Sequence, residues 1–224
     1  EDTPTEPTDA ANIDYTSENA TSWNNYMKAV VTLLRKDASD LYGYWATSYK
    51  GGESYAVTFR NHGAPFNSAG SCVQQVIDGC VDIANEVGET KIGDPYSKYQ
   101  AGKVTEALYA VESWYSWHSR DDYTNNIFSI RNTYYGRIDD NDVSKVDGNL
   151  SAFNSNKDFD DEGDIAEHSL SKLIASTNPD LDEEIKTLIF ASAKAIQAIP
   201  QPFRNNIDSE ESVAAMNTCM ELAN

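Results

Sequence analysis

The residues best able to do chemistry in this chain lie between Glu112 and Gly136, in the segment ESWYSWHSRDDYTNNIFSIRNTYYG. Glu112, Ser113, Ser116, His118, Ser119, Asp122, Asn125 and Asn126 stand there among Trp114, Tyr115, Trp117 and Tyr123. A helix that carries Ser, Asp and Asn beside its apolar stripe must satisfy their hydrogen bonds, because a buried polar group without a partner costs ~1–3 kcal/mol. Either the groups bond one another across a helix interface, or they line a polar cleft that takes a ligand. Ser119 followed by Asp122 has the form of a capping box. Tyr123, Ile127, Ile130 and Tyr134 then recur at helical spacing, and Gly136 sits where a C-terminal glycine belongs.

Metal chemistry has thin support within the chain. The three histidines, His62, His118 and His168, form no H-x-x-E, H-x-x-x-H or H-E-x-x-H pair. His118 precedes Asp121 and Asp122, so one helical turn would aim His118 and Asp122 at a common point. It is a ligand or proton-transfer group completed from elsewhere, or a helix-entry histidine bonded to a cap. Asp158, Asp160 and Glu162 resemble the front of a calcium loop, but Ser169 occupies the twelfth position, where a bidentate Glu belongs. A solvated acidic loop is the plainer reading. Nucleophilic catalysis finds no G-x-S-x-G elbow and no cysteine beside a histidine. Glycine-rich phosphate loops are absent as well.

The charge is one-sided: 17 Lys+Arg against 36 Asp+Glu give a net −19. Such a surface repels phosphate backbones, so no nucleic-acid partner is expected. No window approaches ~18 uninterrupted apolar residues, so the sequence holds no candidate transmembrane segment. The opening EDTPTEPTD is polar from the start, and any targeting segment is expected to be removed or to lie outside this sequence. The three cysteines are Cys72, Cys80 and Cys219. Cys72 and Cys80 share one helical pattern, roughly 12 Å apart along its axis, which is too far for a disulfide. Either could pair with Cys219, or all could be small buried hydrophobes.

The elements that must position the polar segment are helices. Residues 1–16 read as a disordered lead-in or the remnant of a longer loop. Trp23, Met27, Val30, Val31, Leu34, Leu41 and Trp45 predict a helix from about Thr21 to Tyr49, capped by Ser17 or Thr21 and ended by Gly51-Gly52. A second helix over Ser68–Val87 is expected to stop at Gly88, with a structured loop over Lys91–Lys103. Residues 137–163 read as an acidic loop insertion. Short and long helices follow over Ser169–Ser176, Leu181–Ile199 and Ser209–Ala223, with Pro200 and Pro202 as a stop. No segment alternates with period two. The expected fold is therefore all-α, an up-and-down helical bundle over residues 17–224.

At these residues the chain resembles the imelysin-like family, classed with the M75 peptidases. Three stretches carry the resemblance. The first is Glu112–Gly136. The second is SLSKLIASTNPDLDEEIKTLIFASAKAIQAIPQPFR, Ser169–Arg204, with its ending in Ile-Pro-x-Pro-Phe. The third is the helix around Asn25–Trp45, similar to the one that opens the family's second half. The resemblance implies two helical bundles of related topology with a polar site between them, of which this chain would be the C-terminal one. Its implied partner is the missing N-terminal bundle, and its implied ligand is iron or haem. The family is implicated in iron uptake by exported bacterial proteins, periplasmic or held as lipoproteins at the outer membrane or cell surface.

The family's Gly-x-His-x-x-Glu motif is absent: none of His62, His118 and His168 has Gly two places before and Glu three places after. No metal ligand carries over from that motif. Iron or another divalent metal would take its ligands mainly from outside this chain. What the resemblance carries onto matching positions is a candidate binding cluster of Glu112, Ser113, Ser116, Ser119, Asp122 and Asn126, with His118 as a further candidate. Three functions compete: one wall of a ligand site in an uptake protein, an M75-type metallopeptidase, and a non-catalytic structural or interaction module. A zinc enzyme needs about three protein ligands and a water, so the balance tilts against an enzyme without deciding it.

Overall fold

The structure, a computed structural model, describes residues 20–114, 116–137 and 165–224. The lead-in, Ser17, Asp158, Asp160 and Glu162, and the acidic excursion from residue 138 on lie outside the described residues. The fold is all-α, and no strand occurs among the described residues. The chain divides into two compact units, one within Asn12–Ile77 and one that takes in Asp78–Asn224.

The first unit holds α1 (Ala20–Ala46) and α2 (Tyr55–Arg60). Lys50 and Gly51, at φ 51° and 79°, turn the chain between them. An edge-on contact joins the two, Trp45 to Tyr55 at 5.0 Å, and the aromatic cluster continues from Phe59 on α2 to Phe66 at 5.0 Å. The Cys72 thiol donates to the Phe59 carbonyl at 3.3 Å. α1 departs from expectation. Its predicted core stripe buries nothing, and the seven residues range from 37 % exposed at Val30 to 65 % at Leu34. Helical periodicity marks the face a helix can bury, not what covers it.

The second unit contains the buried core. α3 (Ala69–Asn85), whose residues from Asp78 on belong to this unit, does not stop at Gly88. It runs on as a π-helix (Glu86–Gly93) and then as α4 (Asp94–Gln100), where the spacing predicted a loop. Gly88 serves packing here rather than termination: a Cβ on it would lie 3.0 Å from Met220 Cγ and 3.2 Å from Cys219 Cβ. The extra residue per π-turn swings the next side chains around the axis. Val87 and Ile92 are thereby fully buried.

α5 (Val104–Ala110) and α6 (Ser119–Tyr135) follow. α6 buries Tyr123, Ile127, Ile130 and Tyr134, as their spacing predicts. Gly136 closes it at φ 74°, and Arg137 N–H donates back to Asn132 O at 3.1 Å. α7 (Leu170–Ala175), α8 (Pro179–Ala198) and α9 (Glu210–Ala223) complete the unit, with a 3-10 turn at Phe203–Asn205. Ser169, Asn178 and Ser209 cap their N-termini by accepting from Lys172, Leu181 and Ser212 N–H. α8 packs on α6 and α9, and α9 packs on the π-helix. Leu108, Ile127, Ile189, Ile196, Phe203 and Ala215 form the centre of the core.

A buried polar knot ties three of these helices together. Asp182 accepts from Tyr134 Oη at 2.8 Å and Ser171 Oγ at 2.7 Å, and pairs with Lys186 at 2.8 Å. Burial alone would raise the Asp182 carboxyl, but the bonds from Lys186, Ser171 and Tyr134 outweigh it and hold it below its usual range.

Cys72, Cys80 and Cys219 are all free thiols. Burial pushes the Cys219 thiol up to about 12, which makes it an inert hydrophobe rather than a nucleophile. Among the described residues no helix is long and apolar enough to cross a membrane.

Candidate functional site

All seven candidate residues sit on the short connection from α5 to α6 or on the first turns of α6. The connection is tightly bent. Ser113 and Trp117 both adopt left-handed backbone, at φ 55° and 62°, a region that disfavours residues other than glycine by about 1–2 kcal/mol. Trp117 N–H donates to Ser113 O at 2.9 Å, and Ser116 Oγ donates to the same carbonyl at 3.3 Å.

The expected capping box does not form. His118, not Ser119, is the N-cap, and its side chain makes no cap bond. Ser119 is already helical and buried, and its hydroxyl donates backwards to Glu112 O at 2.6 Å. Asp122 does not reach back to the helix start either, because its carboxylate accepts from Ser113 Oγ. The positive-φ turn brings Glu112 and Ser113 over the first turn of α6, so the side chains bond across the turn instead of capping it. His118 is drawn to Asp121 at 2.9 Å rather than to Asp122, and it remains half exposed.

Glu112 and Asn126 meet through a residue that motif reading missed. Lys91, on the π-helix, lies 3.1 Å from Glu112, 3.5 Å from Glu86 and 3.1 Å from Asn126 Oδ1. Its side chain is 11 % exposed, and its ammonium stands 5.9 Å from the centre of the Tyr123 ring. Tyr123 Oη donates to the Lys91 carbonyl at 3.4 Å. Burial, and then the Glu112 carboxylate, push the Tyr123 phenol up, so it stays a neutral donor. Two arginines complete the surroundings. Arg120 Nη1 donates to Gln197 O at 3.2 Å and Ile199 O at 3.4 Å, carbonyls at the end of α8. Arg204 packs under the loop, beside Trp114 and Trp117. The cue available for Lys91 was a cation in a turn-rich stretch of an acidic chain. For Arg204 it was the residue that follows Pro-Phe.

Chemically, the arrangement is a hydrogen-bonding surface with one buried ammonium set among carboxylates. It does not fit a metal by itself. Among the described residues no three of His, Cys, Asp and Glu converge, and Lys91 already supplies the positive charge that Glu86, Glu112 and Asn126 share.

Comparison with known proteins agrees with the helical architecture. The family model described as Peptidase_M75: Imelysin matches residues 4–224. The chain is similar to a solved imelysin peptidase from Bacteroides ovatus, at 57% identity and TM-score 0.80, covering 96% of this chain and 55% of that one. It is also similar to an iron-regulated protein A precursor from Parabacteroides distasonis ATCC 8503, at 32% identity and TM-score 0.71, covering 89% of this chain and 53% of that one. The chain thus spans about half the length of either solved protein. No curated protein matches it. A match along nearly the whole sequence and two solved relatives place this chain in the imelysin family.

Proposed function

We propose that this chain supplies one polar wall of a ligand site in an exported protein that handles iron or haem as cargo. The observation that carries this reading is a linked set of bonds: Lys91 meets Glu112 and Asn126, Ser119 bonds Glu112 O, Ser113 bonds Asp122, and Ser116 bonds Ser113 O. His118 lies at the rim of the same loop. A purely structural seam would bury these groups, yet Glu112, Ser116, His118 and Asp122 stay exposed. Groups that are organised by mutual bonds but still open are poised to bind. The printed name of one relative, an iron-regulated protein A precursor, supports a link to iron and the export.

In this reading the remaining wall comes from a second helical bundle of the kind the relatives' additional length could hold. The coordinating donors for a metal come from there as well, since the described residues offer hydrogen bonds and charge. Export would place the protein in the periplasm or at the cell surface as a lipoprotein. A metallopeptidase is the second reading, favoured by the name of the Bacteroides ovatus relative. It requires zinc ligands from outside these residues and predicts proteolysis abolished by chelator.

The test is a thermal melt of a version of the protein as long as the solved relatives, with haemin, ferric citrate, ferrous iron or zinc. A probe held at about 100 times its dissociation constant stabilises by ~2.7 kcal/mol. A flat response to every probe would remove the reading.

A further inference from the structure

Arg204 is a charged side chain that is only 1% exposed. Its guanidinium carbon lies 4.5 Å from the centre of the Trp114 ring and 4.9 Å from that of Trp117. Nη1 also donates to the Trp114 carbonyl. Trp114 in turn stacks on Tyr109, with centroids 5.5 Å apart and planes 13° apart. The result is a ladder of Tyr109, Trp114, Arg204 and Trp117. Arg204 is itself firmly placed: its neighbour Phe203 is buried and meets Tyr123 edge-on at 5.8 Å.

The ladder brackets the part of the chain with the least intrinsic reason to hold its shape. Among the described residues of the loop, Ser113 and Trp117 are left-handed, and neither is a residue type that favours that region. Such a conformation persists only where its surroundings over-determine it. Ser119 holds Glu112 O, and Asp122 holds Ser113. Neither bond touches the indoles. Arg204 does, through two cation–π contacts and one hydrogen bond to the loop backbone. A lysine could supply the charge but not the flat face that lies against both rings.

We propose that Arg204 is the positioning residue of the site. It sets the loop over Glu112–His118, and through it fixes Ser113 and Ser116 for hydrogen bonding and the 40%-exposed Trp117 indole as an aromatic contact for the ligand. This joins two distant sequence signatures, the Glu112–Gly136 segment and the Pro-x-Pro-Phe-Arg turn, in one device. The ligand clause rests on the function proposed above; the loop-setting clause does not.

The experiment compares R204K, W117L and the unaltered full chain by hydrogen–deuterium exchange, with binding of haemin and ferric citrate measured for the same variants in a version of the protein as long as the solved relatives. In R204K, amides over Glu112–Ser119 should exchange about tenfold faster, while those around Ile189, Ile196 and Ala215 keep their protection. W117L removes the other face of the ladder at a partly exposed position, so it should reproduce the local loosening even if R204K folds poorly. Loop exchange unchanged in W117L and in any folded R204K overturns the proposal, and so does a uniform loss of protection across the chain in W117L. For whichever probe the unaltered longer protein binds, R204K should weaken affinity by about tenfold. A loosened loop with affinity unchanged overturns the ligand clause. If the unaltered longer protein binds neither probe, the proposed function fails, and exchange still decides the role of Arg204.

Discussion

α1 and α6 are both long helices with a helical apolar rhythm, and they end up in opposite circumstances. α6 buries nine of its 17 residues, including Tyr123, Ile127 and Tyr134. α1, with 27 residues, buries none. The difference does not lie in the stripe, since α1 carries large apolar side chains too: Trp23, Met27, Leu34 and Trp45. It lies in anchoring. α6 is fixed at its start by Ser119 on Glu112 O and Arg120 on the end of α8, and near its end by Tyr134 on Asp182. α1 has an aromatic cluster at its C-terminal end, with Trp45 against Tyr55 and Phe59. A stripe supplies the driving force for burial, and specific polar partners decide where it is realised.

The strongest way to break this comparison is to cut α6's deepest anchor. Asp182→Ala leaves Lys186, Tyr134 and Ser171 without their shared acceptor, and loss of one member of a buried pair should cost about 3 kcal/mol. The pH profile adds a signature. Asp182 has a lowered folded-state value, so its stabilisation is complete above the unfolded aspartate value of ~3.9 and is lost as pH falls through the folded value. For Lys186, burial opposes the charge, but the bond to Asp182 wins and its value is raised. Its contribution is complete below the unfolded lysine value of ~10.4 and is lost as pH rises through the folded one. Chemical denaturation across pH should therefore show a flatter acid and alkaline limb in Asp182→Ala than in the unaltered chain. Parallel curves would mean the knot is not the anchor.

A smaller effect is expected at the π-helix. A Cβ at Gly93 would lie 2.8 Å from Gly88 O, a backbone atom that cannot swing aside. Gly93→Ala should cost about 1–3 kcal/mol through displaced backbone. Because Lys91 sits two residues upstream, the same change should also loosen its hold on Glu112 and Asn126. A melt gives the first quantity, and exchange at the start of α6 gives the second. A stable Gly93→Ala chain with an unchanged α6 start would show that the π-turn does not position Lys91.

How much of this could be read in advance follows the same division. The all-α class and, to within about two residues, the bounds of α6, α8 and α9 follow from local rules of period and from the breaks at Gly136 and Pro200. The continuation of α3 past Gly88 does not, because the contact that uses this glycine's bare Cα is with Met220 and Cys219 on α9, more than a hundred residues downstream. The failure of the Ser119–Asp122 capping box has a similar origin. Left-handed backbone at Ser113 and Trp117 is invisible in a sequence that places no glycine there. The polar cluster was legible as a set of residues, but Lys91 and Arg204 were not, since both arrive from segments that carry no motif of their own.

The smallest predicted effect bears most directly on α1. Val31 and Leu34 are 56% and 65% exposed. If the stripe is open in solution, then Val31→Lys together with Leu34→Glu replaces exposed apolar surface with charge and should change the stability of this chain by less than ~0.5 kcal/mol. Lys, Glu and Leu have similar helix propensities and Val is the poorer former, so only lost packing should produce a large destabilisation. A loss of ~2 kcal/mol or more would mean that α1 buries its stripe after all, since that is the scale for removing a buried aliphatic side chain. The same pair introduced into a version of the protein as long as the solved relatives then distinguishes two origins of the stripe. If a further bundle covers it there, the substitutions are severe in the longer protein and mild in this one. If they are mild in both, the stripe is surface, and the difference between α1 and α6 belongs to the helices themselves.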